Sequence, residues 1–170
     1  SASASPDRAW NKSAQPRKQI VDKLRIGILG LGRGLTHVRN LLRIDNAEVI
    51  GAADQIAKWR DRARETVGDH PMRIVNEFEE LLEMQPDAVV IASNGRMQAG
   101  HSVQALTAGC HVLSEVPGAF TQEEIHHIVL AKERYGKQYM LAENSCFLDF
   151  LRYWRRWIVE GRLGPVAFAE

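Results

Sequence analysis

The chain has 170 residues, of which 45% are hydrophobic and 25% charged, a composition typical of a globular domain with one buried core. Its formal net charge of +1 gives no electrostatic reason to expect nucleic acid or an acidic membrane as a partner. No apolar run approaches the roughly 20 residues that cross a bilayer. The two cysteines, Cys110 and Cys146, lack neighbours at metal-ligand spacing, so we expect no metal site and no disulfide.

Residues 1–23 are predicted to form a flexible N-terminal arm. They are small and polar and follow neither the helical nor the strand period. The arm also lacks the apolar stretch of a signal peptide. We therefore expect a cytoplasmic protein, or a periplasmic one if an export signal was removed before this numbering begins.

Residues 24–35 predict a strand, a phosphate-binding turn and a helix that begins near Gly34. Gly30 can adopt the positive φ of a tight turn, and Gly32 has no Cβ to keep a pyrophosphate away from the backbone. The free N–H groups at the start of the helix favour an anion. The dinucleotide pattern G-x-G-x-x-G requires glycine at position 35, where this sequence has leucine. The predicted cofactor-binding residues of the turn are Gly30, Gly32, Arg33, Gly34 and Leu35.

A second strand over residues 47–54 ends in Asp54, which lies 22 residues after Gly32. At a separation of about 20 residues, an acidic side chain closes a dinucleotide-binding βαβ unit by accepting hydrogen bonds from the adenosine ribose. The alternative is that Asp54 caps the helix predicted over residues 56–67. Because the glycine turn precedes Asp54 at the appropriate distance, we favour the ribose role.

The same alternation of strands and helices continues along the chain. Short apolar runs predict strands over residues 72–75, 87–92, 110–114 and 139–142. Helical spacing predicts four helices. The first lies around residues 78–82, the second ends at Gly109, the third runs from a capping box at Thr121 to Gly136, and the fourth covers residues 147–158. This order predicts an α/β fold, a doubly wound parallel sheet with helices on both faces and ligands beyond the carboxyl ends of its strands.

Polar residues follow three of the predicted strands, at the edge of the sheet where a ligand would bind. They are Ser93 and Asn94, Glu115 followed by Val116 and Pro117, and Glu143 and Asn144. A carboxylate directly after a buried strand favours a ligand-binding role for Glu115, although the same side chain could simply cap the loop. Elsewhere, His37 is assigned to helix packing.

These features, in this order, resemble the Gfo/Idh/MocA oxidoreductases, and the resemblance runs from about Leu24 to the last residue. It rests on the glycine turn, on Asp54, and on residues 90–94, 111–117, 142–144 and 161–164. It implies a nicotinamide-binding Rossmann domain over residues 24–163, followed by an open-faced α+β domain that completes the substrate site. That second domain is absent from the chain, in which residues 164–170 resemble the opening of its first strand. The resemblance also implies a homo-oligomer formed through the absent domain.

The resemblance transfers unevenly to individual residues. Glu115 and Pro117 match a Glu-Lys-Pro motif, but Val116 stands in place of the lysine that helps orient the sugar hydroxyl and the nicotinamide in the family. Valine supplies neither charge nor proton. The resemblance implies Glu115 as the catalytic residue of this chain, where it would shape the nicotinamide and substrate pocket. The resemblance adds further cofactor contacts to the glycine turn and Asp54: Ser93, Asn94, Gln98, Glu115, Val116, Pro117 and Asn144.

The implied function is an NAD(P)-dependent oxidoreductase that transfers hydride between a secondary alcohol of a carbohydrate or polyol and nicotinamide. This chain would be its cofactor-binding half, and Asp54 favours NAD over NADP because a carboxylate repels a 2′-phosphate. Two alternatives stay open. The Glu-Val-Pro sequence resembles a branch of the superfamily that includes NAD-dependent glycoside hydrolases, which oxidise a sugar transiently. The other alternative is a non-catalytic nucleotide-binding module.

Overall fold

The computed structural model describes residues 23–165 and residue 167. Strands and helices alternate in this range. In chain order they are β1 Leu24–Leu29, α1 Leu31–Leu41, β2 Ala47–Ala53, α2 Ala57–Val67, β3 Arg73–Val75, α3 Phe78–Glu83, β4 Ala88–Ile91, α4 Gly95–Thr107, β5 His111–Ser114, α5 Gln122–Tyr135, β6 Tyr139–Leu141, a 3₁₀ turn Ser145–Phe147 and α6 Asp149–Val159.

The six strands form one sheet in the order β3-β2-β1-β4-β5-β6, and every neighbouring pair is parallel. The chain runs outward from the central β1 to β3, returns to the centre as β4, and continues to β6 on the other side. Because the loops after β1 and β4 lead in opposite directions, they leave a crevice at the carboxyl ends of these two strands. The doubly wound α/β fold is therefore confirmed.

Helices bury both faces of the sheet. Along β4, Val89 and Ile91 belong to a core cluster with residues of α3, α4 and α5, whereas Val90 belongs to a second cluster with residues of α1 and α2. This explains why the central strands are almost entirely apolar. Cys110 is a free thiol within the first cluster, and burial raises its pKa; Cys146 is free and exposed.

Helix α1 begins at Leu31, directly after Gly30, and the predicted start near Gly34 is wrong. Gly30 ends β1 with a φ of 88°, and the carboxylate of Asp54 accepts a hydrogen bond from the Leu31 amide at 2.6 Å. The side chain that directly follows β2 therefore satisfies the first free N–H of the helix, and no local sequence pattern predicts this contact. Gly32 and Gly34 consequently lie inside the helix.

The last two predicted helices can be compared with the structure, whereas much of the predicted chain termini cannot. The capping box at Thr121 and the end of α5 at Gly136, with a φ of 63°, are confirmed. Helix α6 forms as predicted, but none of its residues is buried. The predicted arm over residues 1–23 lies outside the described residues except for residue 23. Four of the seven residues of the predicted strand over residues 164–170 also lie outside them. Within the described part, no helix has the length and apolarity needed to cross a bilayer.

Gly34 allows α1 to pack closely on β1. A Cβ added at this position would lie 2.8 Å from Cγ2 of Ile28, a side chain with no exposed surface. Gly34 thus supplies the close helix–strand contact that the dinucleotide pattern assigns to a glycine one residue later. The departure from the pattern at position 35 leaves the packing intact.

We expect Gly34→Ala to lower the free energy of unfolding by about 1 to 3 kcal/mol, because Ile28 has nowhere to move in a close-packed core. The measurement is urea unfolding of the 170-residue chain. Gly100→Ala in α4 is the matched control, since its added Cβ meets nothing within 4 Å. It should leave stability unchanged or raise it by up to about 1 kcal/mol. Equal effects of the two substitutions would contradict this packing role.

Candidate functional site

The crevice at the carboxyl ends of β1, β2 and β4 contains a cavity of about 560 Å³. The glycine turn, the loops after β2, β3 and β4, and residues of α2, α3 and α4 line it. A larger cavity of about 790 Å³ lies between α4 and α5, away from the strand ends, and none of the predicted site residues lines it. The crevice is therefore the candidate site. The predicted residues that line its cavity are Gly30, Gly32, Asp54, Ser93 and Asn94.

Gly30 and Gly32 are glycines for different physical reasons. A Cβ at Gly30 would lie 2.4 Å from the carbonyl oxygen of Ala92, so the close approach of the β1 and β4 loops requires glycine there. A Cβ at Gly32 would meet only the ring of Trp59, at 3.6 Å, which is ordinary van der Waals contact. The packing of the described residues therefore does not require glycine at position 32, and the predicted role of Gly32 beside a ligand stays a prediction.

Asp54 joins the glycine turn to the start of α2. Its Oδ2 accepts a hydrogen bond from the amide of Leu31 at 2.6 Å, and its Oδ1 accepts one from the amide of Ile56 at 2.8 Å. The N-cap residue of α2 is Ile56. Asp54 therefore makes a turn before the helix and is not its cap. A carboxylate has about four acceptor sites, so each oxygen can accept one more hydrogen bond in the crevice.

The loop after β4 forms the opposite side of the crevice. Asn94 caps α4, because its Oδ1 accepts a hydrogen bond from the amide of Arg96 at 3.1 Å. The hydroxyl of Ser93 lies 2.8 Å from Nδ1 of His101, whose ring packs edge-on against Phe78 with 5.5 Å between centroids. Burial lowers the pKa of His101, so its neutral form is favoured. Sequence reasoning missed His101, since nothing in the local pattern of α4 distinguishes it.

Gln98 has a different role from the predicted cofactor contact. Its side chain is buried, and its Nε2 donates to the carbonyl oxygens of Ser93 at 3.2 Å and Val116 at 3.4 Å. Its Oε1 accepts from the amide of Gly118 at 2.8 Å. All these contacts are with main-chain atoms, so Gln98 holds the loops after β4 and β5 together. Any influence on a bound molecule is indirect.

Glu115 lies at the end of β5, where its buried carboxylate reaches α1. Oε1 accepts hydrogen bonds from Nε of Arg33 at 3.1 Å and Nε2 of His37 at 2.7 Å. Burial by itself raises the pKa of Glu115, but the hydrogen bonds from His37 and Arg33 hold this pKa below its usual value. The assignment of His37 to helix packing is therefore corrected. Glu115 does not line the cavity. In the structure, its carboxylate connects the end of β5 to α1.

The remaining predicted residues lie around the crevice or below it. Leu35 is a core residue of the cluster beneath α1, so its predicted contact with a cofactor is corrected. Val116 and Pro117 are exposed on the loop after β5, and a cis peptide bond joins them. Asn144 is exposed after β6, the outermost strand. All three residues follow the carboxyl ends of strands, as predicted, but Val116, Pro117 and Asn144 do not line the cavity.

A glycine turn after the first strand, a carboxylate after the second and a crevice between them define a dinucleotide-binding Rossmann domain. Residues 24–143 match the family described as "Oxidoreductase family, NAD-binding Rossmann fold" (GFO_IDH_MocA), and the chain belongs to that family. The resemblance drawn from the motifs is thereby confirmed. The residues of the glycine turn and Asp54 lie within the matched range.

The chain is similar in sequence to both dehydrogenases and glycosyl hydrolases. The chain is 26% identical over 163 residues to "Glycosyl hydrolase family 109 protein 1" of Akkermansia muciniphila, covering 91% of this chain and 34% of that protein. It is 26% identical over 150 residues to D-glucoside 3-dehydrogenase of Escherichia coli (strain K12), covering 84% of this chain and 41% of that protein. The chain thus spans well under half the length of these relatives.

A solved structure of similar fold is scyllo-inositol dehydrogenase from Lactobacillus casei, with bound NAD(H) and scyllo-inositol. It superposes with a TM-score of 0.73 at 27% identity, covering 84% of this chain and 42% of that chain. The chain therefore spans less than half the length of that structure.

The contacts of Glu115 predict a pH-dependent contribution to stability. Because its folded-state pKa is lowered, the contribution is present above the unfolded value of about 4.3 and is lost as the pH falls through the folded value. At pH 7, Glu115→Gln should lower the free energy of unfolding by about 1 to 3 kcal/mol.

Urea unfolding of the wild type and Glu115→Gln across a series of pH values measures this contribution. The difference should shrink towards zero on acidification below the unfolded value. Glu65→Gln is the control, since Glu65 is an exposed carboxylate within α2. Equal stability of wild type and Glu115→Gln at pH 7 would contradict the role of these contacts.

Proposed function

We propose that this chain binds NAD(H), in preference to NADP(H), in the crevice described above. We further propose that it is the cofactor half of an oxidoreductase that transfers hydride between a secondary alcohol of a carbohydrate or polyol and nicotinamide. The observation that carries the proposal is the position of the Asp54 carboxylate, 2.6 Å from the first amide of α1, beside a glycine that the protein itself does not require.

The pyrophosphate would lie at the start of α1. The amide of Leu31 is occupied by Asp54, and that of Gly34 donates to the carbonyl of Gly30 at 3.1 Å. The amides of Gly32 and Arg33 have no acceptor within the helix, since the first N–H groups of any α-helix lack one. Two free amides at the positive end of a helix dipole are suited to an anion.

The preference for NAD is supported by the charges around Asp54. Glu77 lies on the same side of the crevice, where Gln55 donates to its Oε2 at 3.1 Å, so a 2′-phosphate would meet two carboxylates. Arg60 is a cation close to Asp54, and its Nη1 donates to the carbonyl oxygen of Asp54 at 2.7 Å and to Oδ1 of Asn76 at 2.8 Å. These two hydrogen bonds hold the guanidinium against the loops after β2 and β3.

The class of substrate is supported by the names of the relatives, a D-glucoside 3-dehydrogenase and a scyllo-inositol dehydrogenase. When bound, NAD would accept the hydride from the alcohol carbon. The described residues would bind and orient the dinucleotide, while Val116 has no proton to offer a substrate hydroxyl. We propose that a second domain, like the part of the relatives that this chain does not cover, supplies the acid or base and the contacts of a homo-oligomer.

A second candidate is an NAD-dependent glycoside hydrolase. Two observations favour it: Val116 in place of a lysine, and the similarity to a protein described as a member of glycosyl hydrolase family 109. Such an enzyme oxidises the sugar transiently, eliminates the aglycone and returns the hydride, so that NAD is unchanged overall. Aglycone release from aryl glycosides without net formation of NADH would identify it.

Titration with NAD and NADP tests the proposed cofactor directly. We expect the wild type to bind NAD more tightly than NADP. Because a hydrogen bond to a charged group contributes about 1.5 to 3 kcal/mol, Asp54→Ala should weaken NAD binding by about 10- to 150-fold. Asp54→Asn should narrow the difference between the two cofactors, since it removes the charge and keeps an acceptor. Asp69→Asn, at an exposed turn, is the control. Tighter binding of NADP by the wild type would refute the assignment.

The 170-residue chain is expected to bind cofactor and to turn over no sugar. Positioned acid–base groups contribute about 10²- to 10⁴-fold in rate, and the side chain of Val116 cannot act as an acid or a base. The assay follows nicotinamide absorbance and aglycone release with a panel of free sugars and aryl glycosides. Sugar-dependent turnover by this chain, at the rate of a protein extended by the substrate domain, would show that these residues already form a complete active site.

A further inference from the structure

Trp59 forms the outer wall of the crevice and has no role in the predicted site. It lies in the first turn of α2 and lines the same cavity as Gly32 and Asp54. Its ring is partly buried and packs against the core cluster beneath α1 and α2, so its position is fixed. A large aromatic side chain held at the mouth of a polar crevice restricts what can lie there.

The edge of the indole ring faces Gly32. Measured from the position of a Cβ on Gly32, the nearest ring atoms are Cε2 at 3.6 Å, Cζ2 at 3.8 Å and Nε1 at 3.9 Å. The edge that bears the N–H is therefore the part of the ring nearest to the glycine turn. Indole Nε1–H is a hydrogen-bond donor only.

Within residues 23–165, no acceptor forms a hydrogen bond with Nε1 of Trp59. This nitrogen is not one of the fully buried side-chain atoms that lack a partner, so it is accessible from the crevice. A donor that is fixed, accessible and unpaired beside the free amides of Gly32 and Arg33 is complementary to an acceptor in the crevice. The amides favour a negative charge at that point.

Two cations lie near the Trp59 ring, although neither lines the cavity. Nζ of Lys58 lies 5.8 Å and Cζ of Arg62 lies 6.0 Å from the centroid of the Trp59 ring. Both distances are within the range of cation–π attraction. The donors that face the crevice from α1 and α2 are therefore the free amides of the glycine turn and the indole N–H, whereas the carboxylates of Asp54 and Glu77 are the acceptors in the same lining.

We propose that Trp59 is a further cofactor-binding residue, whose Nε1–H donates a hydrogen bond to a pyrophosphate oxygen held at Gly32. The inference rests on the proposed binding of NAD in this crevice. It divides the site between donors and an acceptor: Trp59 and the free amides of Gly32 and Arg33 hold the anion, and Asp54, which already accepts from the Leu31 amide, also accepts from the ribose.

The test compares Trp59→Phe, which removes the N–H donor and keeps an aromatic ring, with Trp154→Phe, a matched change on the exposed helix α6. Binding of NAD and of ADP is measured by calorimetry. We expect Trp59→Phe to weaken both ligands by about tenfold or more, as for a hydrogen bond to a charged group. Trp154→Phe should bind both as the wild type does.

A second measurement follows the indole N–H resonances of the ¹⁵N-labelled wild type during titration with ADP. The Trp59 resonance should shift with saturation, whereas that of Trp154 should stay in place. If Trp59→Phe does not fold, the Trp59 resonance is assigned by elimination with Trp10→Phe, Trp154→Phe and Trp157→Phe. Wild-type affinity in Trp59→Phe, or an unshifted Trp59 resonance at saturation, would overturn this inference alone. Failure of the wild type to bind either ligand would overturn the proposed function with it.

Discussion

The hydrogen bond from the Leu31 amide to the Asp54 carboxylate, 2.6 Å long, is the contact on which the rest of the site depends. It joins the end of β2 to the first residue of α1, two elements that are 23 residues apart in the chain. By occupying the first free amide of the helix, the carboxylate fixes where α1 starts and leaves the next two amides for a ligand. The same carboxylate keeps acceptor sites of its own, so one side chain both builds the turn and borders the crevice.

A second long-range contact anchors α1 from its other side. Glu115 reaches from the end of β5 to His37 and Arg33, so α1 is fixed to the strands on both sides of the central pair. Gln98 then links the loops after β4 and β5. Polar contacts between loops therefore help to hold the residues of the crevice in place. An uncompensated break in one of them would leave a buried donor or acceptor without a partner.

The fold could be predicted from the sequence because it is encoded locally, in apolar runs such as residues 87–92 and in the capping box at Thr121. Gly30, Gly32 and Asp54 could be predicted because the dinucleotide pattern fixes their spacing. The start of α1, the partners of Glu115 and the burial of Gln98 could not, since each depends on residues far apart in sequence. Trp59 was missed for the same reason: its importance comes from its distance to Gly32, which the sequence does not contain.

The central claim is that Gly32 leaves room for a dinucleotide, and thermal unfolding with and without NAD tests it most directly. Gly32→Ala and Gly100→Ala each add a Cβ that the protein tolerates on a helix, so both should keep the melting temperature of the free wild type or raise it slightly. At 100 times its dissociation constant, a ligand stabilises the folded state by about 2.7 kcal/mol. We expect NAD to stabilise the wild type and Gly100→Ala by this amount and to have little effect on Gly32→Ala. The same NAD-induced shift in all three proteins would contradict the account.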